Sequence, residues 1–504
     1  MNQDFLTYNA LDAALTLECH NAFWGDLSQG FGPAYAMTVD LLEPLIFMQT
    51  RGIKVNREAM EATKIEILKT SAERQEELNK LCGRELNVNS SKDCRTYFYV
   101  ELGIPPYYNE GAITVDDLAL QRLARGTAKR AGLRQAKLVQ DIRGLQKLHG
   151  TYLDIEFDSD SRLRCSYNPR GTKFGRLSSS KTVFGTGTNQ QNLPQEFKRF
   201  LVADDGYIFW EVDKRQAEWV VVAYLSGDAN MISVVEASKD THIHTASLMF
   251  NVEPEVIEYE GKVIGNNTDA DLIRDLRSAD EWLARYHNRL PRSMSGRQCG
   301  KKSNHGLNYD EGPNKFALVN EIEQGEAKRI VETYHKVYPG IRSIFHESIK
   351  RQLQKDRMLI NCFGRCVRFM DAWGPDLWKA AYSMIPQSSV VDSLNIGLVK
   401  IYHDDELCVE YNIDLLAQVH DSILLQVPIQ VAINPAAMTE IQARVYRYVS
   451  PNLHYSGRDF RIATDSKIGL NWGGYHKEKN PQGMREVKDF DELPKLLAEW
   501  GLEQ

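Results

Sequence analysis

YIFWEVD (residues 207–213) and LLAQVHDSILLQV (residues 415–427) are the two stretches on which the fold of this chain turns. Each is a short apolar run of the length and composition of a buried strand, and each carries an aspartate at its end or turn, Asp213 and Asp421. A lone acid on a buried strand is costly unless its charge is compensated. A pair of divalent cations does so, and two metals are what catalysed phosphoryl transfer needs. Either acid alone would equally suit a strand end in solvent, so the weight falls on what lies between them.

A chain of 504 residues predicts roughly three domains. Hydrophobic residues at 42% and charged residues at 26% are ordinary for a globular protein. No apolar run approaches the ~20 residues that span a membrane, and MNQDFLTYNA has neither a basic n-region nor an apolar h-region. Eight cysteines lie scattered without a CxxC. Cys362 and Cys366 share a loop with no second pair to close a zinc site, which points to reduced thiols and a cytoplasmic location. The net charge of −7 says nothing for nucleic acid. Locally, however, Arg122, Arg125, Lys129, Arg130, Arg134, Lys137, Arg143 and Lys147 face the single acid Asp141, and a second basic stretch runs from Arg285 to Lys302. Such stretches suit a groove for a polyanion, although either alone reads as well as a solvated helix face.

Along the chain, residues 5–28 read as an amphipathic helix, and 43–56 as a helix ending at Gly52 followed by a short strand. Residues 57–150 are mostly helical, broken by the loop GIPPYYNEGAIT (103–114). DIEFDSDSRLRCSYN (154–168) predicts a β-hairpin, and a Gly/Ser/Thr-rich loop occupies 171–194. A helix begins near Glu218, residues 236–387 are again mainly helical, and RIATDSKIGLNW (461–472) follows the Asp421 hairpin. KDFDELPKLLAEWGL suits a short amphipathic helix packed on its own domain. One sheet domain carrying two helical appendages is the economical architecture.

Arg297, Lys301, His305 and Tyr309 recur every four residues. On a helix each such step advances ~40° around the axis, so the four line one slowly turning stripe. Two cations followed by two flat rings suit a nucleoside triphosphate, with charge for the phosphates and a stacking surface for sugar and base. A basic solvent face with chance aromatics accounts for this stripe about equally well.

The order of these segments resembles family A DNA polymerases, the class of bacterial DNA polymerase I and related phage replicases, from about Tyr8 to Trp472. TKFGRLSS…NQQNLP is similar to the family's TxTGRLSS…NLQNIP, which implies that Arg176 meets the primer terminus with Gln191 and Asn192 nearby. DKRQAEWVVVAYLSGD (213–228) is similar to DYSQIELRVLAHLSGD, making Asp213 a metal ligand, Gln216 a dNTP contact and Glu218 the gate that excludes a ribose 2′-OH. DTHIHTA (240–246) matches D-x-H-x-x-T-A and puts His242 near the triphosphate. The stripe from Arg297 to Tyr309 resembles R-x3-K-x3-[FY]-G-x2-Y-G, with Arg297, Lys301 and His305 on the nucleotide and Tyr309 on DNA. QSSVVDS (387–393) resembles QGTAADI, with Gln387 at the template–primer, and Val419-His420-Asp421 matches the V-H-D of the VHDE hairpin. The resemblance makes Asp421 the second metal ligand and sets His420 on DNA.

It implies an α+β right-hand fold with an antiparallel-sheet palm and mostly helical thumb and fingers. Expected boundaries are 1–30 for a remnant of an exonuclease-domain helix; 31–56, 151–235 and 388–476 for the palm; 57–150 for the thumb; 236–387 for the fingers; and 477–504 for a C-terminal tail. Two Mg²⁺ ions, with Mn²⁺ as a substitute, would serve in-line attack of a primer 3′-OH on a dNTP, with Lys301 stabilising or protonating the pyrophosphate. Basic thumb residues, Arg143 and Lys147 among them, would grip duplex phosphates. Primer–template DNA and dNTPs are the implied partners of a monomer, together with a separately encoded 3′–5′ exonuclease or other replisome proteins.

Departures from the family pattern are Lys214-Arg215 for Tyr-Ser, Ser422 for the acid after His-Asp, His305 for Phe or Tyr, Asp310 for glycine, and a longer connection at 251–290. Ser422 leaves two catalytic carboxylates rather than three. Tyr8-x3-Asp12 resembles the last YxxxD motif of the proofreading exonuclease, whose earlier motifs are not in front of it, and Asp154-Ile155-Glu156 is expected to be a decoy. The expectation is a phage-encoded polymerase in the host cytoplasm without intrinsic proofreading. The alternatives are a single-subunit RNA polymerase, against which Glu218 argues, and a catalytically inactive DNA-binding relative.

Overall fold

The computed structural model describes residues 3–109, 111–126, 130–265, 267, 269–320 and 322–502, so that Lys129 lies outside the described residues. At its centre is an antiparallel sheet of β1 (Tyr207–Lys214), β2 (Asp414–Val419), β3 (Ser422–Pro428), β4 (Thr464–Gly469) and β5 (Arg485–Val487), in the order β2-β3-β1-β4-β5. β1 is the middle strand and is covered on both sides, which is why its sequence is almost continuously apolar. Ile208, Trp210 and Val212 pack on one face against Leu394 and Leu398 of the helix Pro375–Tyr402 and Met438 and Ile441 of the helix Pro435–Val449. Phe209 points the other way, onto Leu416 and Leu424. The period of two then carries Glu211 and Asp213 onto that same face. Full burial of each large apolar side chain contributes about 1.5–3 kcal/mol, so a one-residue slip of β1 is strongly disfavoured.

Two helical blocks flank the sheet. Residues 57–150 pair the helix Arg57–Cys82 with Arg134–Lys147 around Leu78, Phe98, Leu123 and Leu138. Residues 217–387 build a larger block from α1 (Ala217–Ser226), α2 (Thr241–Phe250), α3 (Pro254–Ile264), α4 (Ala270–Ala279), α5 (Gly296–Leu307) and the helices that follow. Among the described residues no helix is long and apolar enough to cross a membrane. All eight cysteines are free thiols.

The helix ending before Gly52 and the strand after it form as expected: Leu42–Arg51, Gly52 at φ +63°, then Ile53–Val55. Three expectations change. Residues 154–168 do not form a hairpin with themselves. Arg162–Leu163 pairs with the strand Ile53–Val55, and Ser166–Asn168 pairs with Ser178–Ser180. Alternation marks a strand but does not name its partner. The segment after 476 is not a separate tail, because β5 is an edge strand of the sheet and Leu493, Leu496 and Leu497 of the final helix enter the core behind β1. The first helix, Gln3–Asp26, leaves Tyr8, Leu11, Leu15 and Trp24 exposed rather than burying an apolar face.

The long connection at 251–290 folds as the α3–α4 pair around a buried ion pair. Arg277 and Glu260, with side chains 1% and 0% exposed, meet at 2.5 Å. Arg277 also donates to the carbonyls of Pro291 and Met294, and Glu260 Oε2 accepts from the N–H of Gly296, the first residue of α5. The connection is therefore fastened to the start of the helix that carries Arg297 and Lys301. Removing one partner of a fully buried pair leaves an uncompensated charge, at a cost of about 3–5 kcal/mol. R277M should lower the melting temperature by several degrees, with amide exchange over α3, α4 and α5 accelerating before that of the sheet.

Candidate active site

Register brings the two acids together. Asp213 lies opposite Ser422 in the β1–β3 pair, and Asp421 precedes Ser422 in the two-residue turn that joins β2 to β3. His420, the first turn residue, has φ +54°, the left-handed conformation that tight hairpins demand. The hairpin is fastened from outside. Gln191, buried, donates through Nε2 to the Gln418 carbonyl at 2.6 Å and accepts the His420 N–H through Oε1 at 3.2 Å. The Lys214 N–H donates to the Asp421 carbonyl at 3.2 Å. Burial, then the neighbouring Asp421 carboxylate, push Asp213 up to about 6, and burial raises Asp421 as well. Two half-buried carboxylates that repel each other are a donor set for a hard divalent cation, and Asp213 and Asp421 fit that role. Among the described residues no group of three or more His, Cys, Asp or Glu side chains converges to hold a metal.

Two further charged groups, Lys467 and Glu211, share this face. Lys467, directly across from Glu211 in the β1–β4 pair, reaches Asp213 at 3.1 Å and Glu211 at 3.5 Å. Burial opposes its charge, yet Glu211 and Asp213 together hold the ammonium above its ordinary value. Glu211 Oε1 accepts from Ser422 Oγ at 3.2 Å and Trp472 Nε1 at 3.3 Å. The signal was available: the E of YIFWEVD is two residues before Asp213 and so shares its face.

Three of the four stripe residues, Arg297, Lys301 and His305, lie on α5, whose N-cap Ser295 accepts from the Gln298 N–H, whereas the helix ends at Leu307 and Tyr309 falls in the turn beyond it. Arg297 pairs with Asp240 at 2.8 Å, while Lys301 and His305 are exposed along the same face. α5 packs so tightly on α2 that a Cβ at Gly300 would lie 2.2 Å from the His242 carbonyl oxygen. The His242 ring is 6.3 Å from that of His305 and 3.1 Å from Asn304 Nδ2. Burial, against the attraction of Asp240, lowers His242 to about 4 and keeps it neutral at pH 7. Gln216, at φ +52°, accepts the Thr241 N–H and so links the end of β1 to the start of α2.

Glu218 joins three separate sequence segments. Its Oε1 is 2.6 Å from Arg176 of the Gly/Ser/Thr-rich loop, and its Oε2 accepts from Tyr309 Oη at 2.5 Å. The charges of both Glu218 and Arg176 act on Asp421. The description "DNA polymerase family A" matches the chain over residues 57–263 and 274–474. The chain belongs to that family.

Relatives include the thermostable DNA polymerase I of Thermus filiformis, 26% identical over 76% of this chain and 42% of that protein. The Thermus aquaticus enzyme is 26% identical over 81% of this chain and 45% of its own length. DNA polymerase I of Streptococcus pneumoniae is 26% identical over 84% and 46% respectively. The chain thus spans less than half the length of these curated relatives. The solved polymerase domain of M. smegmatis Pol1, in complex with DNA primer-template and dNTP, aligns with a TM-score of 0.69, 21% identity, and coverage of 86% of this chain and 70% of that one. That likeness is one of fold.

Four of the five side-chain departures from the family A pattern, Lys214, Arg215, Asp310 and Ser422, meet a specific partner. Lys214 points to the back of the sheet and donates to the Val449 carbonyl, and its burial lowers it to about 7. Arg215 pairs with Asp465 of β4. Asp392 likewise meets Arg365, a distant residue, at 2.8 Å. Asp310 takes φ +59°, which Asp tolerates, and its carboxylate pairs with Arg342 at 2.6 Å.

A cleft of about 1230 Å³ runs between the two helical blocks, lined by Arg74, Lys137, Lys147, Asn192 and Lys302. Gln387 is half-buried on the helix Pro375–Tyr402, and His420 is exposed. Arg143 differs from its expected place on DNA. Its guanidinium faces inward, donating to the carbonyls of Val88 and Val115 at 2.7 and 2.9 Å. Asp154, of the D-x-E segment, is held by Lys64 and lies 3.4 Å from His149.

Because Asp213 is raised in the fold, the native state keeps a proton that the unfolded chain has released. Its favourable contribution is therefore complete below about pH 4 and lost as pH rises towards about 6. In chelator, wild type should lose on the order of 1–2 kcal/mol relative to D213N between pH 4 and 7, allowing for solvent screening. Parallel denaturant melts of the two proteins across that range measure it.

Proposed function

We propose that this chain is a template-directed DNA polymerase that extends a primer 3′-OH with dNTPs. The reading rests on one observation above all: Glu218 hydrogen-bonds Tyr309 and pairs with Arg176 within the field of Asp421. That cluster joins a sugar-side gate, a nucleotide helix and a primer-side loop at one carboxylate. The sheet is then the palm, residues 57–150 the thumb, and the helical block around α5 the fingers.

Asp213 and Asp421 would hold Mg²⁺, which when bound lowers the pKa of the attacking hydroxyl and offsets the charge of the phosphates. Arg297, released from Asp240, grips the outer phosphates, and the exposed Lys301 neutralises or protonates the departing pyrophosphate. His305 offers its ring to the sugar and base, and neutral His242 faces the triphosphate from α2. Glu218, fixed by Tyr309, fills the space that a 2′-OH would need. Arg176 exchanges Glu218 for the minor groove at the primer terminus. Lys147 and Asn192 contact DNA from the cleft wall, whereas Arg143 stiffens the thumb from within. No proofreading is assigned to Asp154-Ile155-Glu156, since Asp154 is tied to Lys64.

Primer extension by the purified chain tests this reading. Wild type should extend with dNTPs and not rNTPs, and should leave single-stranded primer ends intact. D213N and D421N should each lose on the order of 10³-fold in rate, a loss of several kcal/mol of charge stabilisation. E218A should admit ribonucleotides. A wild type that prefers rNTPs would instead be an RNA polymerase, and equal extension by D421N would remove Asp421 from the chemistry.

A further inference from the structure

Lys467 touches two acids in different surroundings. Asp213 is half-buried near the end of β1, while Glu211, one step back on the same face, is 9% exposed. The Glu211 carboxylate is anchored on one oxygen by Ser422 Oγ at 3.2 Å and Trp472 Nε1 at 3.3 Å, leaving the other oxygen towards Lys467 Nζ at 3.5 Å. The same ammonium is 3.1 Å from Asp213 Oδ2. An ammonium on Asp213 and a divalent cation on Asp213 compete for one carboxylate, since both need its ionised oxygens and the two positive charges repel.

We propose that Lys467 is an exchangeable counter-cation. It neutralises Asp213 while no divalent ion is bound there, and it shifts onto Glu211 when one arrives. Glu211 is a fixed seat for the displaced ammonium, and Ser422 holds that seat in place. This also accounts for serine where the family's hairpin has an acid: a carboxylate at 422 would lie against Glu211 and repel it. Glu211, Ser422 and Lys467 are positioning residues, acting on Asp213 through charge. The inference rests on the reading of Asp213 as a divalent ligand.

Mn²⁺ binding to the full chain, without DNA or nucleotide, separates the possibilities by electron paramagnetic resonance or calorimetry. D213N should weaken binding at least tenfold. K467M should bind Mn²⁺ about tenfold more tightly than wild type, because the competing cation is gone. E211Q should bind several-fold more weakly, because the displaced ammonium has lost its seat, and should change nothing when added to K467M. A purely structural role for these side chains would lower the melting temperature without these opposite signs. K467M binding no more tightly than wild type, or E211Q without effect, would overturn the proposal. Equal weakening by E211Q in both backgrounds would overturn it too, by making Glu211 itself a ligand. If D213N binds as wild type does, the failure lies instead with Asp213 as a metal ligand. K467Q replaces K467M if the latter does not fold.

Discussion

Everything at this site depends on the pairing of β1 with the Asp421 hairpin. That register puts Asp213 beside Ser422 and within the field of Asp421, and the pairing with β4 brings Lys467 to the same place. Like charges in a half-buried site oppose folding. The apolar residues of β1, buried on both faces, supply the opposing term, and Gln191 clamps the hairpin from the loop below. A sheet that is stable only in this register therefore holds an unfavourable electrostatic arrangement in place. An arrangement of that kind is suited to binding a cation, because the ion relieves what the fold imposes.

Much of this could be read from the chain. Asp213, Asp421, Glu218, Arg176 and the stripe from Arg297 to Tyr309 carry distinctive spacing, and the structure gathers Arg176, Glu218 and Tyr309 around one carboxylate. What escaped the sequence was pairing. Nothing in DIEFDSDSRLRCSYN says that its strands belong to Ile53–Val55 and Ser178–Ser180. Nothing in RIATDSKIGLNW says that its lysine faces Glu211, since cross-strand neighbours depend on register with a segment more than 250 residues away. Arg143 was misplaced for a related reason. A basic stretch reports charge, not which guanidinium turns inward to satisfy two carbonyls.

The substitutions that distinguish this chain within its family are not loose ends. Lys214, Arg215, Asp310 and Ser422 each meet a specific partner: the Val449 carbonyl, Asp465, Arg342 and Glu211. Each of the four meets a group that accommodates it, a backbone carbonyl for Lys214 and a side chain for the other three. A single change towards the family pattern at 215 or 310 would thus strand Asp465 or Arg342, and an acid at 422 would crowd Glu211, so the members of each pair should not act additively.

The approach of α5 to α2 at Gly300 has a kinematic consequence. At Gly300 the backbone of α5 comes so close to the His242 carbonyl that no side chain fits between the helices. The cations on α5 and the imidazole on α2 thus sit in one closely packed wedge, to which the buried Glu260–Arg277 connection is fastened. Closure over a nucleotide would be a rotation of that whole wedge about its junction with the sheet. Gln216, holding the Thr241 N–H from the last turn before α1, stands where the hinge would have to be.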